Sequence, residues 1–356
     1  MAARSCAKTG MRLMLVIFLV AAAPFRTAAG PVVLQAVGDI MLAGSGTATF
    51  ARAGYDYPFA ATARELRRAD IVLGNLEAPL TVRGEEFQDK KFRFRASPKA
   101  AAALKRAGFS VVTLANNHIM DFGETGLLDT IERLDREQVR YAGAGNSLAM
   151  ARRPAVVERN GAKVAFLAYS LTQPLEFFAG ESSAGTAPGY SRYFREDIIK
   201  AKSAADYVVV SFHWGGEGLS APRQYQIEAA RRAIDAGADV IIGHHPHVLQ
   251  GIERYGRGVI FYSLGNFVFG SMSRHAASSV MARITLHGGV REVEVLPLNV
   301  LNAEVRFQPG IMKGARGKKV VAGLNSLSRR WNTEIVAEGG RYLVQPVPAG
   351  PRPSAR

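Results

Sequence analysis

Cysteine is nearly absent from this chain: a single residue, Cys6, stands among 356. It lies before an apolar run at 13–23 and outside any lipidation context, so a chain that has lost its leader has no thiol at all. Disulfides and thiol catalysis are thereby excluded, and so is a zinc site built on thiolates. That apolar run, LMLVIFLVAAA, is too short for an ordinary membrane span, which takes roughly 20 residues. Acids are scarce too, with 30 Asp and Glu against 45 Lys and Arg and a net charge of +15. No internal repeat and no long low-complexity linker interrupts the sequence.

The N-terminal segment has the layout of an export signal. Arg4, Lys8, Arg12 and Arg26, with no acid, accompany the apolar run, and Thr27-Ala28-Ala29-Gly30 follows it. Cleavage after Ala29 is expected, with an uncleaved anchor as the alternative. Losing those four charges leaves the chain strongly basic. Such a balance favours anionic partners such as phosphates, polyanionic polymers or lipid head groups, or else it is a solvated basic surface. No nucleic-acid partner is expected. Length and a 48% apolar fraction describe a globular protein able to bury a large core as one big domain or two ordinary ones.

From residue 32 to about 269 short β-branched runs alternate with polar loops and amphipathic stretches. Strands are predicted over 32–37, 71–73, 110–114, 139–142, 163–169, 207–212, 240–242 and 259–262, with helices over 59–68, 99–107, 125–137, 196–204 and 223–236. This alternation predicts an α/β fold with mostly parallel strands, made mixed by a hairpin turn at Asn160-Gly161. Beyond Gly270, antiparallel strands over 281–286, 290–305 and 341–347 and a short helix over 320–330 read as a C-terminal β elaboration. The predicted layout is a leader at 1–29, a main domain at 30–270, the elaboration of that domain at 271–347 and a disordered tail at 348–356. The run Lys90-Lys91-Phe92-Arg93-Phe94-Arg95 alternates charge with Phe, as an edge strand with a solvated basic face does; contact with an anionic substrate is the other reading.

Six polar clusters follow directly on apolar strand runs. They are Gly38-Asp39, Gly74-Asn75-Leu76-Glu77, Asn116-Asn117-His118 with Asp121, His213-Trp214-Gly215-Gly216-Glu217, Gly243-His244-His245-Pro246-His247, and Ser263-Leu264-Gly265-Asn266-Phe267. The C-terminal ends of parallel strands share one rim, where ligands bind, so these distant residues can meet in one pocket. Asp39, Glu77, Asn117, His118, His213, His245 and His247 together form a mixed oxygen and nitrogen set suited to Mn, Fe, Zn or Co rather than Ca or Mg. His245 and His247, two apart around a proline that keeps the backbone extended, are expected to point the same way.

In order and in wording these motifs resemble the CapA capsule-synthesis family, the poly-γ-glutamate synthesis accessory proteins, a branch of the calcineurin-like metallophosphoesterases. The resemblance rests on Gly38-Asp39-Ile40-Met41-Leu42, on Gly74-Asn75-Leu76-Glu77-Ala78-Pro79-Leu80-Thr81, on Asn116-Asn117-His118 through Gly126, on His213-Trp214-Gly215, on the stretch from Gly237 to His247, and on Ser263-Leu264-Gly265-Asn266-Phe267. It implies a four-layer α-β-β-α sandwich with one or two divalent transition ions at the strand ends. Asp39 then ligates one metal, Glu77 bridges, Asn117, His213 and His245 hold the second, and His247 returns to the first. His118 serves as general acid or oxyanion donor. Asn75 and Asp121 orient imidazoles, and Asn116, Trp214, His244 and Asn266 are further residues around ligands or substrate. Glu217 is an orienting or a solvated residue. The family pattern departs at Met41, where metallophosphoesterases carry a histidine.

Two functions follow as expectations. One is a metal-dependent hydrolase outside the cytoplasm, acting on a phosphoester or a γ-glutamyl amide. The other is a non-catalytic accessory that holds an anionic polymer within a membrane-bound capsule synthesis or export complex.

Overall fold

The structure is a computed structural model that describes residues 29–347 together with Ala2. The predicted leader and tail, with Cys6, lie outside the described residues apart from Ala2 and Ala29. Two sheets face each other. In the larger, the strand Val32–Met41 pairs in parallel with Ile71–Leu76, which continues in parallel through Val111–Thr113 to Arg140–Ala142. On its other edge Val32–Met41 runs antiparallel to Ser278–Leu286 and then, at its end, parallel to Asn266–Phe269. The smaller sheet aligns Gly258–Phe261, Val240–His244, Tyr207–His213 and Ala162–Ser170 in parallel, with antiparallel strands Ile252–Tyr255 and Ala155–Arg159 at its two edges.

The two-residue period of a strand explains the layers. In Ala162–Ser170, Val164, Phe166 and Ala168 turn into the space between the sheets and meet Leu34, Ala36 and Leu73. Ala165, Leu167 and Tyr169 turn outward onto Phe194, Ile198 and Ile227 of the helices Ser191–Ala204 and Gln224–Asp235. On the far side, Val72, Leu76 and Val112 pack with Leu104 and Leu127, carried by the helices Ala100–Ala107 and Gly123–Arg136. The result is a four-layer α-β-β-α sandwich, with the C-terminal strands added to the edge of the larger sheet.

Several element boundaries differ from the sequence expectations. The helix expected over 59–68 is a single 3₁₀ turn, Tyr57–Phe59, followed by the short helix Ala63–Leu66. Thr62 is the cause, since its hydroxyl bonds back to the Phe59 carbonyl at 3.3 Å and competes with the helical ladder. The strand expected over 290–305 ends at Asn299, and the helix Asn302–Val305 follows. The helix expected over 320–330 is Gly314–Ser328. A further strand, Thr333–Glu338, pairs with Arg341–Pro346 across Gly339-Gly340, whose φ values of 56° and 79° suit a two-residue hairpin loop. The run 90–95 is no edge strand but irregular chain, because the Phe94 amide is spent on the Asp121 side chain at 2.8 Å.

The strand ends stand level with one another. Asp39 is opposite Asn75 on one side and Asn266 on the other, Asn75 is opposite Thr113, and His244 is opposite His213. Two glycines permit this closeness. A Cβ on Gly38 would lie 1.8 Å from the Gly265 carbonyl oxygen, and one on Gly243 would lie 2.0 Å from that of Tyr262. No side chain fits at either place.

Candidate metal centre

Asp39 and Glu77 meet where the two sheets touch, and both are fully buried. Asn75 lies between them and donates from Nδ2 to Asp39 Oδ1 at 2.9 Å and to Glu77 Oε2 at 3.1 Å. Its own Oδ1 accepts from Asn116 Nδ2 at 3.1 Å and Thr113 Oγ1 at 3.3 Å, which fixes the amide's orientation. Asp39 further receives His244 Nδ1 at 2.9 Å, His247 Nδ1 at 3.1 Å and the His245 amide at 3.3 Å. Burial pushes its carboxyl up, but the bonds and charges of His244 and His247 win and hold it well below its ordinary value.

Glu77 is in the opposite condition. Burial first, and then the Asp39 charge, raise its carboxyl well above the ordinary value. Its Oε1 is buried without a hydrogen-bond partner, yet it lies 3.5 Å from His213 Nε2 and 3.8 Å from His247 Nε2. An orphaned carboxylate oxygen beside two imidazole nitrogens is a costly arrangement for an empty interior and a natural one for a divalent cation. The donor chemistry agrees. Ligand atoms of Glu77, His213 and His245 all lie within 4.8 Å of one another, and so do those of Asp39, Glu77 and His247. Asn117 joins the former group, its Oδ1 2.8 Å from His213 Nε2.

The imidazoles are tuned apart. Burial, helped by the His247 charge, lowers His245 to about 3. Burial holds His213 well below its usual value. His247 is also disfavoured by burial, but the Glu77 charge and the Asp39 hydrogen bond and charge carry it up to about 9. His245 and His247 do converge, with ring centroids 5.8 Å apart, although not by the extended backbone expected. Both have positive φ, 92° and 59°, so the Gly243-to-Val248 segment curls around the site.

His118 stands apart from these groups. Its Nδ1 is 2.6 Å from Asp121 Oδ2, its ring packs 4.9 Å from that of Phe94, and burial lowers its pKa against the pull of Asp121. It faces a cavity of about 490 Å³ shared with Met41, His247, Asn266, Phe92 and Phe269. Asn266 Oδ1 is 3.0 Å from His247 Nδ1. Asn116 shapes the turn that presents His118, its Oδ1 accepting the His118 and Ile119 amides at 3.1 and 2.9 Å. Trp214 is brought no nearer than the wall. It is fully buried, stacked 4.7 Å from Phe212, and donates to the Tyr262 carbonyl at 2.9 Å.

Two residues lie closer to the centre than the sequence suggests. Lys90, expected on a solvated face or against an anionic substrate, is mostly buried; its Nζ pairs with Asp121 Oδ1 and the Asn117 carbonyl and lies 3.0 Å from His118 Nδ1. Glu217 brings a ligand atom within 4.8 Å of His245 and His247. Only its place in a strand-end cluster hinted at this.

Comparison with known proteins fits this architecture. The family model "Bacterial capsule synthesis protein PGA_cap" matches residues 33–271. The capsule biosynthesis protein CapA of Bacillus anthracis is 37% identical over 74% of this chain and 66% of its own length. The PGA biosynthesis protein CapA of Bacillus subtilis is 36% identical over 75% of this chain and 71% of its own. Among solved structures, the NAD nucleotidase of Haemophilus influenzae superposes with a TM-score of 0.51 at 13% identity, over 84% of this chain and 56% of that one, a likeness of fold alone. The four layers are therefore those of a metallophosphoesterase-like fold, and the chain belongs to the CapA family of bacterial capsule synthesis proteins.

Proposed function

We propose that this protein is an exported, metal-dependent hydrolase of the phosphoester type, acting in capsule or exopolymer biogenesis of the poly-γ-glutamate kind. The biological setting is taken from its relatives, one named for capsule biosynthesis and another for PGA biosynthesis. The observation that carries the chemistry is the orphaned Glu77 Oε1 amid imidazole nitrogens. Asp39, Glu77, Asn117, His213, His245 and His247 are the residues to hold one or two ions of Mn, Fe or Zn, which supply Lewis-acid stabilisation of charge on the transferring group.

The remaining work falls to the chain itself. Asp121 ties His118 through Nδ1 at 2.6 Å, which leaves Nε2 as the nitrogen to meet a substrate in the cavity. When both ring nitrogens carry a proton, Nε2 hands its own to the departing oxygen while Nδ1 keeps its bond to Asp121, which leaves the neutral imidazole. Asn75 keeps the two carboxylates apart and oriented, and Asn116 fixes the turn that carries His118.

The second reading, a polymer-holding accessory without turnover, is favoured by Met41, a buried thioether where related sites carry an imidazole. Against it, the cavity beside the centre is lined by Phe92, Phe94 and Phe269, by the acid Glu217 and by no lysine or arginine, which leaves the His247 imidazole as its main cation and makes it a poor match for a chain of carboxylates. Metal analysis and a phosphodiester and monoester screen on three proteins separate the readings. His245→Ala is expected to lose most of its transition metal. His118→Ala is expected to keep the metal and lose hydrolysis by about 10²–10⁴-fold. Wild-type metal content in His245→Ala refutes the ligand assignment. A metal-loaded wild type inert towards phosphoesters and γ-glutamyl amides transfers the case to the accessory role.

A further inference from the structure

We propose that Glu217 is a third carboxylate ligand of the centre, on the His247 side, where residue 41 offers no nitrogen. The inference rests on the metal-binding reading above. Met41 is buried in the apolar core and lines the same cavity as Glu217 and His247. A thioether serves hard divalent ions poorly, so the Asp39, Glu77 and His247 group is short of a donor.

The loop that carries Glu217 is built to hold it there. Gly215 and Gly218, with φ of 90° and 73°, turn the chain at both sides of the residue. The Gly215 amide donates to Tyr225 Oη at 2.7 Å, and the Gly218 amide donates to the Pro246 carbonyl at 2.9 Å. That second bond fastens the Glu217 loop to the loop bearing His245 and His247. Gln250 Nε2 donates to the Leu219 carbonyl at 2.7 Å and closes the far end.

The backbone is thus fixed while the carboxylate is left uncommitted. Among the described residues Glu217 has no hydrogen-bond or ion-pair partner, although the chain carries 45 Lys and Arg. Its ligand atom and those of His245 and His247 lie within 4.8 Å of one another. His245 is itself buried, and its Nδ1 has no partner. This group shares His247 with the sparse group and His245 with the group around His213. The three form one continuous field of donors, with Glu217 at its mouth. A carboxylate there serves a hard ion such as Mn²⁺ well. A simple ion-pair partner for protonated His247 would be dispensable to metal uptake.

Titration of metal-stripped protein with Mn²⁺, followed by calorimetry and electron paramagnetic resonance, tests the assignment. Wild type is expected to take two equivalents, one strong and one weak. Glu217→Ala and Glu217→Gln are expected to keep the strong one and weaken the other by at least the roughly 10–100-fold that loss of an outer-shell partner costs. Met41→His in the Glu217→Ala background is expected to restore the second equivalent. Because the side chain is exposed and unpaired, the metal-free melting temperature stays at the wild-type value. Isotherms of Glu217→Ala that match wild type, whether with one equivalent or two, overturn the Glu217 assignment and leave the metal reading standing. A wild type that binds no Mn²⁺ overturns both.

Discussion

Asn75 carries more of the centre than any single ligand. One NH₂ group serves two buried carboxylates, and one carbonyl oxygen is held by two donors. Asn75→Ala strips both acids of a hydrogen bond, and the one to ionised Asp39 is charge-assisted, a kind worth about 1.5–3 kcal/mol. The metal-free variant is expected to melt well below wild type. Added Mn²⁺ or Zn²⁺ should recover much of the difference, because a cation neutralises the same pair. A melt in which Asn75→Ala equals wild type without metal removes Asn75 from this role. The residues of the site were legible because each polar cluster ends an apolar strand run, and parallel strands gather such ends on one rim. What was hidden is backbone curvature: the positive φ of His245 and His247 leaves no mark in their spacing. Glu217 was legible only as an orienting or a solvated residue, since an exposed acid in a loop has the same appearance whether it faces a metal or water.

At the level of elements, the irregular stretch between Thr81 and Ala96 acts as a strap over the turn that presents His118. The Phe87 amide donates to the Asp121 carbonyl at 2.9 Å, the Phe94 amide to the Asp121 side chain at 2.8 Å, and Lys90 covers what remains of that carboxylate. Phe87 and Phe177 pack edge to face at 4.9 Å, and Lys90 lies over the Phe177 ring at 5.2 Å. Lys90→Met leaves Asp121 a buried charge with its cation gone, a change that costs about 3–5 kcal/mol. Chemical denaturation is expected to show that loss, and Lys90→Met with Asp121→Asn is expected to regain most of it. A Lys90→Met midpoint within error of wild type would mean that the strap does not depend on the pair. The alternating Lys-Phe-Arg-Phe pattern read as an edge strand because period two fits any extended chain. Its true partners are a carboxylate and an imidazole some thirty residues on, beyond the reach of a local pattern. The parallel strands themselves were easier to find, since their β-branched runs are buried on both faces.

For the whole molecule, two properties bear on where and how it works. Among the described residues no helix is long and apolar enough to cross a membrane. The expectation of export rests on the basic, then apolar, then small-residue order of residues 4–30. N-terminal sequencing of protein from the native host should begin at or near Gly30. An intact Met1 or Ala2 would convert the leader into an anchor. The fold class and its C-terminal extension could be read in advance, because strand and helix periods alternate up to Phe269 and then give way to strands alone. How those later strands attach could not be read. Ser278–Leu286 joins the edge of the first strand by pairing across some 250 residues of sequence.

Elemental analysis of purified, dialysed protein after loading with Mn²⁺ or Zn²⁺ decides whether the strand-end donors hold a metal. At least one tightly held ion per chain is predicted, absent from a Glu77→Ala variant that otherwise remains folded. A wild type that emerges metal-free, or a Glu77→Ala variant that keeps the wild-type content, would contradict it.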